Sequence, residues 1–371
     1  MNADVLIGLI SGTSMDGIDA AAVDFSGDRP ELVGAETVPY TDSLRTQLDE
    51  LRADPDAFPA ARLARLDTEV GDAFATAANE LLAATGLRSG NVRAIGSHGQ
   101  TVLHRPDADP PHTLQIGDPT RIAAATGIDV VADFRRADLA AGGQGAPLAP
   151  LLHSALLGSA GETRVVVNLG GIANVTVLDD NRVAAGFDTG PANCFLDDWY
   201  RARHDDRFDA GGAWAASGRI DERLLGRLTA DDYFSRRPPK STGIEYFSPA
   251  WLRARLPDDA ASRPADVQAT LAELSAATLA DAIRRFGPAR PDRILLCGGG
   301  VANDDLVARI RRRLGDTPLH STAEYGIDPN FVEATLFAWL ACEFLAGRAV
   351  DTPPVTGAAR AVRLGALWPA G

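Results

Sequence analysis

The sequence predicts an α/β protein built from two lobes of similar design. In residues 5–25 an apolar run breaks into a turn of glycine and hydroxyl residues and then resumes, and residues 165–178 repeat this pattern around two glycines. Such a pattern is typical of two strands joined by a tight turn. Because each hairpin opens a half of similar length, we interpret the chain as an internal duplication that provides one phosphate-binding turn per lobe.

The first turn, residues 11–19, reads Ser-Gly-Thr-Ser-Met-Asp-Gly-Ile-Asp. Its two glycines let the backbone approach a ligand, and Thr13 and Ser14 add hydroxyl donors, as phosphate binding requires. Asp16 and Asp19 would repel phosphate unless a cation lay between them, so the turn favours a magnesium nucleotide. Taken alone, the stretch fits a solvated hairpin turn equally well.

Composition excludes some classes of partner. The chain has 371 residues, a net charge of −14 and a single lysine, Lys240, which argues against a general nucleic-acid or anionic-membrane surface. Its three cysteines are far apart without CxxC spacing, so neither a disulfide framework nor a zinc site is expected. The first residues resemble neither a signal peptide nor a spanning helix, and we expect a cytoplasmic protein.

The first half continues with strands that end in polar residues. A predicted strand at 92–95 runs into Gly-Ser-His-Gly-Gln-Thr, and open α/β sheets bind ligands at such ends, which makes His98 and Gln100 site candidates. Helices are predicted at 43–52, 59–85 and 119–126, and strands at 113–116 and 128–133.

Two arginines and a glycine loop follow the strand predicted at 128–133. Arg135 and Arg136 are suited to hold a carboxylate or phosphate, with a surface ion pair as the alternative. The loop at 141–147, with three glycines and one glutamine, suggests a lining or a hinge.

In the second half, the strand predicted at 183–187 ends at Asp188, a candidate base whose alternative is a helix cap. Pro191 suits the first turn of the next helix, whose amides are expected to face the same cleft. Residues 209–262 look irregular. There Lys240, beside Ser241 and Thr242, is either a phosphate contact or an exposed loop lysine.

The chain ends with a third glycine-rich site. After a helix at 264–286, a strand at 293–297 meets Gly298-Gly-Gly300 and Asn303 before a helix at 304–314, an arrangement suited to a flat base or a phosphate. The spacing fits neither GxGxxG nor a Walker loop. A helix at 330–348 carries Glu333 in its first turn, where a carboxylate also serves as a cap.

Together these features resemble the sugar kinase, hexokinase and actin superfamily of ATPases, a duplicated ribonuclease H-like fold with a nucleotide cleft between its lobes. Within it, seven motifs in order resemble the anhydro-N-acetylmuramic acid kinase family. They are SGTSMDG at 11–17, GSHGQT at 96–101, ADFR at 132–135, GGQGAPL at 142–148, FDTGP at 187–191, KSTG at 240–243 and CGGG at 297–300. Ala192 departs from the family's usual glycine, and we expect a slight shift of the Asn193 backbone.

The resemblance implies a reaction of 1,6-anhydro-N-acetylmuramic acid, ATP and water that gives N-acetylmuramic acid 6-phosphate and ADP in peptidoglycan recycling. Asp188 would accept a proton from water attacking C1 while O6 attacks the γ-phosphate. ATP would contact Gly12, Thr13, Ser14, Met15, Asp16, Gly17, Ile18, Asp19, Asn168, Gly170, Gly171, Gly298, Gly299, Gly300 and Asn303. The sugar would contact His98, Gln100, Arg135 and Asn193, and Mg²⁺ would lie near Asp16, Asp19 and Glu333.

The resemblance also implies a homodimer and an N-terminal lobe of residues 1–135 plus about 355–371, with 136–354 as the C-terminal lobe. Two other functions stay open. One is an ordinary sugar 6-kinase, whose aspartate deprotonates the sugar hydroxyl, and the other is a non-catalytic nucleotide-binding sensor.

Overall fold

The computed structural model describes residues 4–12, 15, 17–27, 29–244 and 246–371. The predicted nucleotide-turn residues Thr13, Ser14 and Asp16 lie outside the described residues. The chain divides into two compact units, of which the first is Met1–Leu152 with Tyr325–Gly371 and the second is His153–Glu324. Among the described helices, none combines the length and the apolar character needed to cross a bilayer.

The strands are β1 (Val5–Ser11), β2 (Gly17–Asp24), β3 (Glu31–Pro39), β4 (Val92–Arg105), β5 (His112–Ile116), β6 (Val130–Ala132), β7 (Thr163–Leu169), β8 (Ile172–Asp179), β9 (Arg182–Pro191), β10 (Arg293–Cys297), β11 (Leu319–Ser321) and β12 (Ala366–Trp368). The helices are α1 (Asp42–Ala53), α2 (Ala60–Thr85), α3 (Pro119–Thr126), α4 (Arg136–Ala140), α5 (Ala149–Leu152), α6 (Asn193–Arg201), α7 (Ala213–Ser217), α8 (Glu222–Thr229), α9 (Pro249–Arg253), α10 (Pro264–Phe286), α11 (Asp304–Leu314), α12 (Val332–Leu345) and α13 (Pro353–Thr356).

Five strands in each unit share the same topology, as the predicted duplication requires, and the sheet of the first unit has β5 and β12 in addition. In the first, β3, β2 and β1 form an antiparallel meander, and β4 and then β6 add in parallel beside β1. In the second, β9, β8 and β7 form the meander, and β10 and β11 add in parallel beside β7. Both predicted hairpins are therefore present, and the predicted α/β fold is confirmed unit by unit. The nucleotide cleft expected between the lobes stays a prediction.

Two glycines in the first sheet let α12 pack directly on the backbone. Gly8 of β1 and Gly96 of β4 are register partners on adjacent strands. A Cβ atom on Gly8 would lie 1.7 Å from the carbonyl oxygen of Ala334, and one on Gly96 would lie 2.0 Å from that of Phe337. Real side chains never approach backbone so closely, so the position of α12 depends on both glycines.

The second unit is organised around α10, which packs against α6, α7, α8, α11 and β9. Its buried side chains, with those of β7 and β10, form one apolar cluster that includes Val167, Leu271, Leu274 and Leu296. The helix has the predicted bounds, and Pro264 starts it at a position where a missing N–H costs nothing. This core supports β9, the strand that carries Asp188.

Several local expectations differ from the structure. The strand predicted to end at residue 95 continues through His98 and Gln100 to Arg105, because it pairs with β1, β5 and β6. Similarly, β9 continues to Pro191, so α6 begins at Asn193 instead of near the proline. The stretch expected to be irregular, 209–262, contains the short helices α7, α8 and α9.

The unit boundaries also differ from the predicted lobes, which divide at 135/136 and near 354/355. In the structure the divisions fall after Leu152 and after Glu324. The second division lies earlier than predicted because α12 packs on β1, β2 and β4 and so belongs to the first unit with Glu333, and the first division lies later because α4 packs on β5 and α5 packs on α12.

Replacing Gly96 by alanine should destabilise the protein by roughly 2–4 kcal/mol, because neither the strand nor the α12 backbone can give way cheaply. Gly226→Ala is the matched control, since Gly226 is exposed within α8 and a Cβ there meets no described atom within 4 Å. Urea unfolding measures both variants. Equal stability of the two would contradict the close approach described here.

Candidate active site

The first glycine turn is held by the backbone and by Gln100. The amide of Met15 donates to the carbonyl of Gly12 at 3.2 Å, and Gln100 Nε2 donates to the same carbonyl at 3.3 Å. Met15 has a φ of 54°. The side chains of Met15 and Ile18 are both buried and belong to the apolar core. The contacts with ATP that we predict for these two residues would therefore come from their backbone atoms.

The buried His98 forms a pair with the half-buried Arg135. Arg135 Nε donates to His98 Nε2 at 2.9 Å, so this ring nitrogen carries no proton, and Nδ1 donates to the carbonyl of Gly99 at 3.0 Å. Burial, followed by the charge of Arg135, lowers the pKa of His98 well below its usual value. The ring of Phe337 covers the imidazole with centroids 4.5 Å apart. With both nitrogens engaged, the geometry favours an indirect role, in which His98 orients Arg135.

Arg135 is also fixed by the glycine loop. Its Nη1 donates to the carbonyl of Gly145 at 2.7 Å, and the Gly145 amide donates to Oδ2 of Asp138 at 2.7 Å. Asp138 is fully buried, and its Oδ1 accepts a hydrogen bond from Thr356 Oγ1 at 2.8 Å. A loop predicted to be a lining or a hinge is thus tied to a buried carboxylate at this end.

The structure shows different environments for Arg135 and Arg136, which the sequence alone could not distinguish. Arg136 is exposed and pairs with Asp133, the surface ion pair that we gave as the alternative. Burial lowers the pKa of Arg135 to about 10, opposed by the charge of Glu333. Arg135 therefore remains a cation at neutral pH and is the better candidate for an anionic group of the substrate.

Two carboxylates of the first unit influence each other. The surrounding protein raises the pKa of Glu333 even though solvent reaches its side chain, while the charge of Arg135 lowers this pKa and that of Asp19 raises it. Burial also raises the pKa of Asp19, opposed by a hydrogen bond of 2.6 Å from Thr37 Oγ1. Carboxylate oxygens are the ligands that Mg²⁺ prefers, so these two residues have the donor chemistry that the predicted metal requires, and the metal site stays a prediction. Asp16 lies outside the described residues.

Asp188 of the second unit is held through its backbone and its carboxylate. Its amide donates to the carbonyl of Lys240 at 3.1 Å, and its carbonyl accepts from Tyr233 Oη at 2.9 Å. Its Oδ2 accepts from the amide of Thr242 at 2.9 Å. Asp188 lies within β9, opposite Asn174, and therefore does not cap α6, the alternative suggested by the sequence.

The second glycine turn binds the start of α6. The amides of Ala192 and Cys194 donate to the carbonyl of Gly171, and the amide of Asn193 donates to that of Gly170. These amides are therefore occupied, contrary to the expectation that they face a ligand. Asn193 Nδ2 donates to the carbonyl of Leu169 at 2.9 Å, so its side chain lies at this turn. Ala192 has a φ of −118°, for which glycine is not required.

The triple-glycine loop packs against the same turn. Gly298 has a φ of 83°, and a Cβ there would lie 2.3 Å from Asn168 Oδ1, while one on Gly300 would lie 2.7 Å from Cβ of Leu169. Gly299 differs, because a Cβ there meets no described atom within 4 Å. Gly12 is equally open among the described residues, so both glycines leave room for the close approach of a ligand.

The structure thus brings Asn168, Gly170, Gly171, Asn193 and Gly298–Gly300 together in one unit, and His98, Gln100, Arg135, Asp19 and Glu333 in the other. Asn303 caps α11 by accepting the amide of Leu306 at 2.9 Å. Sequence reasoning missed Tyr233 and Phe337 and assigned Asp138 no role. These residues make their site contacts with residues that are distant in the sequence, so no local sequence pattern predicts those contacts.

A duplicated α/β fold with a glycine turn in each unit and an aspartate held within the third strand of the second meander is the arrangement expected of sugar kinases and actin-like ATPases. A model of the family described as anhydro-N-acetylmuramic acid kinase matches residues 4–370. Two relatives of that name come from Xanthomonas campestris pv. campestris (strain 8004) and Shewanella sp. (strain MR-7). The first is 52% identical over 100% of this chain and 98% of the relative, and the second is 45% identical over 100% of both. The chain belongs to the anhydro-N-acetylmuramic acid kinase family.

A solved structure of low similarity is the activator of the 2-hydroxyisocaproyl-CoA dehydratase from Clostridium difficile with bound ADPNP. It aligns with a TM-score of 0.47 and 13% identity over 92% of this chain and 97% of that one. A likeness of this degree says nothing about the ligand of the present chain.

Because burial and Arg135 both oppose the imidazolium, His98 should stay neutral between about pH 5 and 8. Its Cε1–H resonance should be nearly independent of pH over that range. Arg135→Met removes the nearby positive charge, so the pKa of His98 should rise, although burial keeps this pKa below the usual value. A wild-type His98 that titrates normally would contradict the described pair.

Proposed function

We propose that this protein catalyses the reaction of its family. It opens 1,6-anhydro-N-acetylmuramic acid with water and transfers the γ-phosphate of ATP to O6, which yields N-acetylmuramic acid 6-phosphate and ADP. The observation that carries the proposal is Asp188, a carboxylate on β9 held by the amide of Thr242 in a chain of this family.

In this mechanism Asp188 takes a proton from water as the water oxygen bonds to C1, and the C1–O6 bond breaks. The freed O6 attacks the γ-phosphorus, whose bond to the bridging oxygen of ADP breaks. Arg135, a cation fixed by His98 and Gly145, binds the lactyl carboxylate of the sugar. Phosphates lie at the glycine turns of Gly12 and Gly170, and adenosine lies at Gly299.

Asp19 and Glu333 are the described residues that would hold Mg²⁺, directly or through water. The ion would neutralise charge on the phosphates of the nucleotide. Support comes from the chemistry of the two carboxylates: both are oxygen ligands, burial raises the pKa of Asp19, and the negative charge of Asp19 contributes to the raised pKa of Glu333.

Turnover in ¹⁸O-labelled water tests the reaction itself. If water attacks C1, mass spectrometry of the product should show one labelled oxygen at C1 and none in the phosphate. Phosphorylation without label at C1 would favour an ordinary sugar 6-kinase. A protein that binds ATP and leaves the anhydro-sugar intact would favour a non-catalytic sensor.

Asp188→Asn should lower kcat by roughly 10²- to 10⁴-fold while leaving ATP affinity unchanged, because only the proton acceptor is lost. The amide oxygen of asparagine still accepts the Thr242 N–H, so the local fold is retained. Steady-state kinetics and nucleotide titration measure the two effects. Near-normal turnover would move the base elsewhere, with Glu333 the next candidate.

Asp19→Asn should raise the Mg²⁺ concentration for half-maximal activity on the order of tenfold, because one anionic oxygen ligand is lost. Asp24→Asn is the matched control on the same strand, since the described contact of Asp24 is with the amide of Ser26. A Mg²⁺ titration of both variants at saturating ATP measures the effect. An equal response would remove Asp19 from the metal site.

We further propose that the protein is a cytoplasmic homodimer, as the family resemblance implies. Light scattering coupled to size exclusion measures the assembly directly. A monomeric mass over the working concentration range would contradict this proposal.

A further inference from the structure

One loop of the second unit makes three hydrogen bonds with Asp188. Residues 233–242, which we call the base-flanking loop, supply the Tyr233 hydroxyl, the Lys240 carbonyl and the Thr242 amide that bind the aspartate. The first two fix its main chain at the carbonyl and the amide, and the third fixes one carboxylate oxygen. Asp188 is therefore held at three atoms by one segment.

Lys240 closes the base-flanking loop on itself. Its Nζ lies 4.6 Å from the ring centroid of Tyr233 and 5.4 Å from that of Phe286, and it donates to the carbonyl of Tyr233 at 3.3 Å. A cation over aromatic faces is favourable, and more so where water is partly excluded, as around this half-buried side chain. The lysine thus joins the start of the loop to the segment that binds Asp188.

Tyr233 is anchored from its other side. It is buried, and its amide donates to Asp231 Oδ1 at 2.9 Å. Asp231 Oδ2 accepts from Trp251 Nε1 at 2.8 Å and from Arg255 at 3.0 Å. The hydroxyl that reaches Asp188 therefore projects from a fixed ring.

We propose that Tyr233 and Lys240 are positioning residues for Asp188, which hold its carboxylate in the orientation that proton transfer from water requires. The proposal rests on the proposed function, in which Asp188 is the base. A base accelerates proton transfer only while it stays within hydrogen-bond reach of the proton. Neither side chain need touch the substrate.

The electrostatics of the loop agree with this role. Burial, followed by the charge of Asp188, raises the pKa of Tyr233, so its hydroxyl keeps the proton that it donates. Burial lowers the pKa of Lys240. The negative charge of Asp281 opposes this effect, and the positive charge of Arg236 adds to it. The ε-amine is consequently easier to modify at mild pH.

Tyr233→Phe removes one oxygen and keeps the ring beneath Lys240. It should lower kcat by about 10- to 100-fold with the KM for ATP unchanged. The acidic limb of the kcat/KM profile should move to higher pH, because a loosened Thr242 amide no longer favours the charged carboxylate. Tyr246→Phe is the matched control. Its ring lies 5.9 Å from that of Tyr233 by centroid, and its hydroxyl bonds Asp231 instead of Asp188. Equal effects of the two variants, or an unmoved pH profile in Tyr233→Phe, would overturn the proposal.

The single lysine allows a second test without mutation. Acetylation of the ε-amine removes its charge, whereas reductive dimethylation keeps the charge and leaves one N–H donor. Both reagents also modify the chain's α-amino group, and both leave one N–H on the lysine nitrogen, so the main difference between the two products is that only dimethylation keeps the positive charge. Acetylated protein should lose activity as Tyr233→Phe does, and dimethylated protein should keep most of it. Equal activity of the two products would remove Lys240 from the proposal.

Amide hydrogen exchange separates this inference from the proposed function, because it needs no turnover. In Tyr233→Phe, exchange should speed up at Asp188 and Thr242 and stay unchanged along β7. If the wild type fails to convert the anhydro-sugar but the exchange changes as expected, the loop positions Asp188 and the proposed reaction is wrong. Unchanged exchange together with a normal kcat would overturn the positioning role.

Discussion

The first unit depends on the contact between the backbone of α12 and the backbones of β1 and β4. Gly8 and Gly96 lie side by side in register, and each leaves room for a carbonyl oxygen of the helix. Glu333 immediately precedes Ala334, the residue over Gly8, and Phe337 lies over Gly96 and against the ring of His98. The close packing of α12 on the sheet therefore also positions the carboxylate of Glu333 and the imidazole of His98.

Both units hold their functional charges through main-chain atoms. In the first, the carbonyl of Gly145 accepts from Arg135 while its amide binds Asp138. In the second, the amide of Thr242 binds Asp188. Backbone groups have little freedom once a loop is closed, so they fix a charged side chain with less loss of entropy than another long side chain would.

The charges of the site are unlike those of the rest of this acidic protein. Arg135 keeps its proton in a buried environment, since Glu333 supports its charge. The only lysine is not free to reach a phosphate as placed, since its ammonium lies over two aromatic rings. In our proposal Arg135 therefore binds the carboxylate of the sugar, Lys240 helps to position Asp188, and Mg²⁺ is the cation that meets the nucleotide.

The sequence by itself determined the elements whose signals are local. Both hairpins follow from glycine turns between apolar runs, and α3, α10 and α11 have the predicted bounds because proline, asparagine and glycine mark their ends. Tertiary structure decided the rest. Neighbouring strands extend β4 past His98, two distant glycines bring α12 and Glu333 into the first unit, and Tyr233 reaches Asp188 across 45 residues. Such contacts depend on which surfaces meet when the chain folds, so the short-range periodicity of the sequence does not predict them.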